Sequence, residues 1–105
     1  MDINKLFNID GKTALITGGS RGIGEMIAAG FLANGVKVYI TARKEAPLIE
    51  KAEELSEKFS GECIAIPCDL SNMEGIQKLA SDYLNHEDSL DILVNNAGAA
   101  WGEPY

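Results

Sequence analysis

The sequence predicts an α/β protein built on one doubly wound parallel sheet. Short apolar runs typical of strands alternate with longer runs in which apolar residues recur at helical spacing. The order is strand, helix, strand, helix, strand, helix, strand, and no repeat or linker interrupts it. Right-handed crossovers between parallel strands produce such an alternation, with an expected strand order of 3-2-1-4. At 105 residues the chain is long enough for one domain at most.

The composition is ordinary for a globular chain and excludes some classes of partner. Hydrophobic residues make up 46% and charged residues 24%, with a net charge of −7. Because like charges repel, this acidity argues against nucleic acid or an anionic membrane as a partner. No apolar run is long enough to span a membrane and no leader pattern begins the chain, so a cytoplasmic protein is expected. Cys63 and Cys68 lack zinc-site spacing, and no metal is expected.

The first predicted strand, residues 14–16, runs into a glycine-rich turn at residues 17–24, which opens onto a helix. A helix start carries unpaired N–H groups and partial positive charge, which suit the pyrophosphate of a dinucleotide. Gly18 permits the sharp exit from the strand, Gly22 leaves room for phosphate, and Gly24 lets the helix pack closely. The spacing differs from the commonest dinucleotide fingerprint, and a plain tight turn is the alternative. The flanking strand and helix favour the dinucleotide site.

The next elements follow from periodicity and stop signals. Asn34-Gly35 ends the first helix, and a second strand is predicted at residues 36–41. The second helix ends at Gly61, before a third strand at residues 63–66. The buried face of the first helix is predicted to consist of Ile23, Met26, Ile27, Phe31 and Leu32. The buried face of the second helix is predicted to consist of Leu48, Ala52, Leu55 and Phe59.

The third helix and the fourth strand complete the alternation. Ser71 is the expected N-cap of the helix, and the strand is predicted at residues 90–94. This strand runs into Asn-Asn-Ala-Gly at residues 95–98. Because strands 1 and 4 are neighbours in the expected order, this loop and the glycine turn should line one crevice at the carboxyl ends of the strands. The inner face of the helix is predicted to consist of Met73, Ile76, Ala80, Tyr83 and Leu84.

Three separated motifs resemble those of the short-chain dehydrogenases/reductases. They are Thr-Gly-x-x-x-Gly-x-Gly at residues 17–24, Asp-Leu at 69–70 and Asn-Asn-Ala-Gly at 95–98, in that order and spacing. The resemblance covers essentially the whole chain and implies the N-terminal part of a single Rossmann-type NAD(P)-binding domain. More narrowly, residues 18–24 and 90–102 resemble NADPH-dependent β-ketoacyl (3-oxoacyl-acyl-carrier-protein) reductases, including the rhamnolipid-associated type.

The resemblance implies a role for each motif in binding the cofactor. Asp69 and Leu70 would flank the adenine ring, with Asp69 bonded to its amino group. Asn95, Ala97 and Gly98 would contact the ribose portions and steady the central strands, and turn chemistry alone is the alternative for the asparagine. The pyrophosphate and the adenosine ribose would be wrapped by Gly18, Ser20, Arg21, Gly22 and Ile23, with Gly24 packing beneath.

The end of the second strand favours NADP(H) as the cofactor, with NAD(H) as the alternative. An NAD site usually places an acidic residue about 20 residues past the glycine turn, where it grips the ribose 2′-hydroxyl. Ala42 occupies that position, Arg43 follows it, and Arg21 projects toward the same space from the glycine turn. Two guanidinium groups without a carboxylate suit a 2′-phosphate. The alternative for Arg43 is a surface arginine paired with Glu45.

The resemblance also implies a catalytic centre that this chain lacks. The family uses a Tyr-x-x-x-Lys pair with a serine, and none of Tyr39, Tyr83 and Tyr105 is followed by such a lysine. Residues 1–105 are therefore expected to be the cofactor-binding half of an oxidoreductase, inactive alone, with the C-terminal catalytic part absent. The implied reaction is hydride transfer between a nicotinamide cofactor and a small ketone, secondary alcohol or 3-oxoacyl thioester, in a homotetramer or dimer. The alternative is a truncated nucleotide-binding or interaction module without catalysis.

Overall fold

The computed structural model of the chain describes residues 9–19 and 22–96. In this part of the chain four parallel strands alternate with three helices. The sheet order is β3-β2-β1-β4, which confirms the predicted 3-2-1-4 arrangement. The strands are β1 (Thr13–Thr17), β2 (Lys37–Ala42), β3 (Cys63–Pro67) and β4 (Ile92–Asn95). The helices are α1 (Gly22–Ala33), α2 (Glu45–Phe59) and α3 (Met73–Leu84).

The central strand β1 pairs in parallel with β2 on one side and with β4 on the other. Thr17, the last residue of β1, lies opposite Thr41 of β2 and Asn95 of β4. The segments that follow these strands therefore leave one edge of the sheet at the same level. Among the described strands, β3 and β4 are the two edge strands of the sheet.

The two faces of the sheet carry separate cores because successive side chains of a strand point to opposite faces. Leu15 and Tyr39 pack on one face with Leu79 and Tyr83 of α3. The other face is covered by α1 and α2, and the predicted inner face of α2 is confirmed, with Phe59 partly buried at its end. Both cysteines are buried and free. The core on this face consists of Ala14, Ile16, Ala28, Leu32, Val36, Val38, Ile40, Leu48, Ala52, Leu55 and Cys63.

The predicted inner face of α1 is only partly confirmed. Ile27, Phe31 and Leu32 pack against the core, as expected. Ile23 and Met26 instead are 68% and 73% exposed, and the buried residues of the first turns are Gly24 and Ala28. Small residues face the sheet here because they let the helix backbone approach it closely.

The predicted inner face of α3 is wrong at four of its five positions. Leu79, which was not predicted to be inside, is buried together with Tyr83. The exposed positions are Met73, Ile76, Ala80 and Leu84. Three of them, Ile76, Ala80 and Leu84, line an open cavity beside β4, where no other described element packs. Within residues 9–19 and 22–96, no helix is both long and apolar enough to cross a membrane.

The N-cap of α3 is Asn72 and not the predicted Ser71. Asn72 Oδ1 accepts a hydrogen bond from the N–H of Gly75 at 2.8 Å. Ser71 donates its own N–H to Asp69 Oδ1 at 2.9 Å. Serine and asparagine are comparable caps in isolation, so the turn formed by Asp69 decides which of them caps the helix.

A buried tyrosine ties the segment after α3 to the sheet. The Tyr39 hydroxyl donates to Glu87 Oε2 at 2.5 Å, and Lys37 Nζ lies 2.8 Å from the same oxygen. Burial raises the pKa of Tyr39 to about 12, and the neighbouring Glu87 carboxylate acts in the same direction. The hydrogen bond from Lys37 holds the pKa of the Glu87 carboxyl below its ordinary value. This cluster fixes the entry to β4.

Candidate functional site

The candidate site begins where β1 and β4 end, and a threonine hydroxyl joins the two strands there. The Thr17 hydroxyl accepts a hydrogen bond from the N–H of Asn96 at 2.8 Å. Its own proton faces Asn95 Oδ1 at 3.1 Å. Thr17 is 6% exposed, so these bonds form largely away from water. The sequence pattern assigned no separate role to Thr17, and its only signal is its place at the end of a strand before the glycine turn.

Two glycines of the glycine turn have the left-handed backbone conformation, which glycine adopts with little strain. Gly18 has a φ of +69° and Gly22 a φ of +63°. The N–H of Gly18 donates to the carbonyl oxygen of Thr41 at 2.9 Å, which ties the turn to β2. Among the described residues, no atom lies within 4 Å of the position that a Cβ on Gly22 would take, so these residues leave space beside the start of α1. Ile23, the next residue, is largely exposed.

Helix α1, the glycine turn and the segment after β4 interlock at Gly24. A Cβ at this buried position would overlap the carbonyl oxygen of Gly18 and would lie 2.8 Å from Asn96 Nδ2. Asn96 Nδ2 in turn donates to the Gly18 oxygen at 3.3 Å. A side chain on Gly24 would therefore push the helix away from the turn and from Asn96.

Four of the predicted cofactor-binding residues lie outside the described part of the chain. They are Ser20, Arg21, Ala97 and Gly98. Of the described residues beside them, Gly22 begins α1 and Asn96 directly follows β4.

Of the eight other predicted cofactor-binding residues, four line one wall of a cavity of about 1080 Å³, and the four of the glycine turn and the start of α1 do not. Arg43 follows β2, Asp69 and Leu70 follow β3, and Asn95 ends β4, and all four contribute to the lining. Hydrogen bonds from Ser71 hold the pKa of the Asp69 carboxyl below its ordinary value, and the positive charge of Arg43 acts in the same direction. The cavity continues over an apolar surface between α3 and β4, formed by Leu15, Ile76, Leu79, Ala80, Tyr83, Leu84, Leu90 and Leu93.

Arg43 is exposed, as a residue that holds an anion from solvent must be. In the described part of the chain it forms no ion pair with Glu45, so the alternative interpretation of this arginine is not observed. Ala42 ends β2 beside it and supplies no carboxylate. The end of β2 therefore presents a cation and no acidic side chain at the predicted positions.

The described tyrosines are engaged in structural hydrogen bonds. Tyr39 bonds Glu87, and the Tyr83 hydroxyl lies 2.6 Å from the carbonyl oxygen of Ser89 and 3.2 Å from Thr13 Oγ1. Thr13 begins β1, so Tyr83 binds at the amino end of the strands, opposite the edge where Asp69 and Asn95 lie. Both hydroxyls are thus engaged away from the edge of the sheet where Asp69 and Asn95 lie.

Comparison with known proteins gives both a family and close relatives. The profile of the short chain dehydrogenase family matches residues 12–105. The rhamnolipids biosynthesis 3-oxoacyl-acyl-carrier-protein reductase of Pseudomonas aeruginosa is 49% identical over 96 residues, which cover 91% of this chain and 37% of the relative.

Two solved structures share the fold. The complex of Pseudomonas aeruginosa RhlG with NADP superposes with a TM-score of 0.82 at 48% identity, over 87% of this chain and 36% of that one. L-Sorbose reductase of Gluconobacter frateurii, complexed with NADPH and L-sorbose, has a TM-score of 0.84 at 38% identity, over 92% and 37% of the two chains. The present chain thus spans little more than a third of these relatives. On the profile match and these likenesses together, the chain belongs to the short-chain dehydrogenase family.

Proposed function

We propose that the chain is the cofactor-binding part of an NADP(H)-dependent oxidoreductase, which transfers hydride between nicotinamide and a ketone or secondary alcohol. The observation that carries this proposal is the cavity that reaches the carboxyl ends of the strands, with Arg43, Asp69 and Asn95 in its lining. The relatives support it, since one is a 3-oxoacyl reductase and the two solved structures described above are complexes with NADP or NADPH. A 3-oxoacyl thioester is accordingly the candidate substrate.

The described residues fit a dinucleotide that carries a 2′-phosphate. Gly22 leaves open space at the start of α1, where backbone N–H groups and the helix dipole attract a pyrophosphate. Arg43 supplies a cation at the end of β2. Ala42 beside it has no carboxylate that would repel a 2′-phosphate or bond a ribose 2′-hydroxyl. Arg21 is the proposed second cation for the 2′-phosphate.

Each remaining residue has a binding role in this proposal. The Asp69 carboxylate, which is ionised at neutral pH, accepts a hydrogen bond from the adenine amino group. Leu70 packs against the adenine ring. NADPH, when bound, supplies the hydride. Gly18, Ser20 and Ile23 join Gly22 around the pyrophosphate and adenosine ribose, and the ribose portions are contacted by Asn95, Ala97 and Gly98.

The proton donor of the reaction is proposed to lie outside these 105 residues. The family's Tyr-x-x-x-Lys pair and serine would supply it, and the chain by itself binds cofactor without catalysis. The protein is proposed to act in the cytoplasm as a homodimer or homotetramer. Apolar residues on and beside β4 are exposed, and Leu93 is 61% exposed. Their exposure supports the proposal that further protein covers this surface.

Direct comparison of NADPH and NADH binding to the full-length protein tests the cofactor assignment. At matched ionic strength we expect NADPH to bind about tenfold more tightly or better, because a 2′-phosphate gains charge-assisted bonds to arginine. Placing Asp at Ala42 and Ala at Arg43 and Arg21 should reverse the preference. A wild-type protein that binds NADH as tightly as NADPH would contradict the proposal.

A further inference from the structure

A glycine in the first turn of α3 lies directly against the segment that carries the proposed adenine contacts. Gly75 donates its N–H to Asn72 Oδ1 at 2.8 Å, which closes the N-terminal turn of the helix. A Cβ on Gly75 would overlap the carbonyl oxygen of Asp69 and would lie 2.6 Å from its carbonyl carbon. The backbone of Asp69 is therefore seated on the bare Cα of Gly75.

Besides Gly75, two kinds of contact hold this segment: partly buried Leu70 packs against the core that contains Leu79 and Tyr83, and Asp69 is held within its own turn. Its side chain accepts the N–H of Ser71 at 2.9 Å, a bond within the same turn. One residue earlier, the N–H of Cys68 donates to the carbonyl oxygen of Ala42 at 3.0 Å, which anchors the chain as it leaves β3. From there to the cap at Asn72, no described hydrogen bond joins the segment to the sheet.

A side chain at position 75 would move that segment and not the helix. Helix α3 is fixed to the sheet by buried Leu79 and Tyr83, one and two turns further on. Backbone carbonyl atoms cannot rotate out of the way as a flexible side chain can. To restore an ordinary contact of about 3.5 Å, the Asp69 carbonyl oxygen has to move away by about 2 Å.

We infer that Gly75 is a positioning residue for adenine recognition: its missing side chain sets where the Asp69 carboxylate and Leu70 meet the purine ring. The inference rests on the proposed function and names a determinant of specificity in it. Gly75 itself touches no cofactor in this scheme, and it acts through the backbone of Asp69.

The test compares NADPH with its hypoxanthine analogue, which lacks the adenine amino group. Both are titrated into full-length wild-type protein and into the variants Gly75→Ala and Gly30→Ala. Gly30 is the matched control, because it is also a helical glycine and a Cβ there would have no described residue within 4 Å. The wild type and Gly30→Ala should prefer NADPH about tenfold, the effect of one hydrogen bond to a carboxylate. In Gly75→Ala the ratio should fall to near one, mainly through weaker NADPH binding.

The outcomes separate this inference from the proposed function. If the wild type binds no NADPH, the proposed function fails. If the wild type binds and prefers NADPH and Gly75→Ala keeps the same ratio, Gly75 has no positioning role, while the proposed function stands. If the wild type binds both dinucleotides equally, Asp69 does not form the proposed hydrogen bond with the adenine amino group. The inference about Gly75 is then overturned as well.

A second measurement does not depend on the folding of the variant. In the wild type, hydrogen exchange is compared with and without adenosine 2′,5′-bisphosphate. We expect slower exchange on binding in the peptide that spans residues 69–76 and no change around Gly30. Unchanged exchange at 69–76 in a protein that binds the bisphosphate would overturn the inference. Retained discrimination in a well-folded Gly75→Ala protein would do the same.

Discussion

Gly24→Ala is expected to separate helix α1 from the glycine turn. The added Cβ would overlap the Gly18 carbonyl oxygen, and it would lie 2.9 Å from the Gly18 carbonyl carbon and 2.8 Å from Asn96 Nδ2. Because two of these atoms belong to the backbone, the helix and the turn have to move apart. The same movement stretches the 3.3 Å hydrogen bond from Asn96 Nδ2 to the Gly18 oxygen.

Three contributions set the size of the effect on the free energy of unfolding. Overpacking of a close contact costs about 1–3 kcal/mol. The weakened hydrogen bond adds up to about 1 kcal/mol to that loss. The replacement of glycine by alanine in a helix returns at most about 1 kcal/mol. The net expectation is a loss of about 1–3 kcal/mol.

Urea unfolding of the full-length protein, followed by far-ultraviolet circular dichroism, measures this loss. Gly30→Ala is the control, since it changes the same residue type in the same helix where the Cβ is unobstructed. That variant should gain up to about 1 kcal/mol, so the two midpoints should move in opposite directions. NADPH affinity should fall only in Gly24→Ala. A Gly24→Ala protein as stable as the wild type, with unchanged NADPH affinity, would refute the close-packing explanation.

Gly22→Val should abolish dinucleotide binding, because valine is strained at a φ of +63° and fills the open space beside α1; an unchanged affinity by calorimetric titration would contradict this. Tyr39→Phe should lower the free energy of unfolding by about 1–2 kcal/mol through loss of the hydrogen bond to Glu87, and coincident urea curves would count against it. The lowered pKa of Glu87 means that its contribution to stability is complete above the ordinary carboxyl pKa of 4.5 and is lost as the pH falls through the folded value. Glu87→Gln should therefore reduce the loss of stability below that pH, and a pH–stability profile identical to that of the wild type would exclude this role. The 105-residue chain alone should show no dehydrogenase turnover and should self-associate through β4 and its apolar cavity, whereas measurable turnover or a sharp, reversible monomeric melt would overturn these expectations.

The architecture was predictable because it depends on local patterns and on the handedness of crossovers. The apolar run at residues 36–41, after the stop at Asn34-Gly35, locates β2 to within one residue at each end. The glycine turn between β1 and α1, and Ala42 at the end of β2, follow from the same local signals. Once the strand order is known, parallel strands must present their carboxyl ends at one edge, which predicts that Asp69 and Asn95 lie at the same edge of the sheet.

The inner faces of the helices were less predictable from periodicity. Ile23, Met26 and Ile27 all fall within one helical stripe, and their hydrophobicity does not distinguish the part of that stripe that meets the sheet. The contact of Gly24 with the turn brings the small residues inward and leaves Ile23 and Met26 outside. In α3 the large apolar residues border a cavity, because the described chain supplies nothing on that side of β4.

What the sequence by itself determined, then, is the order of elements, the arrangement of the sheet and the edge at which the site forms. Tertiary structure alone decided how that edge is held together. Thr17 joins β1 to Asn96, 79 residues away, and Gly75 seats the backbone of Asp69. Neither contact has a local signature, because a hydrogen bond or a close approach between separate segments depends on their relative position, which only the packed fold defines.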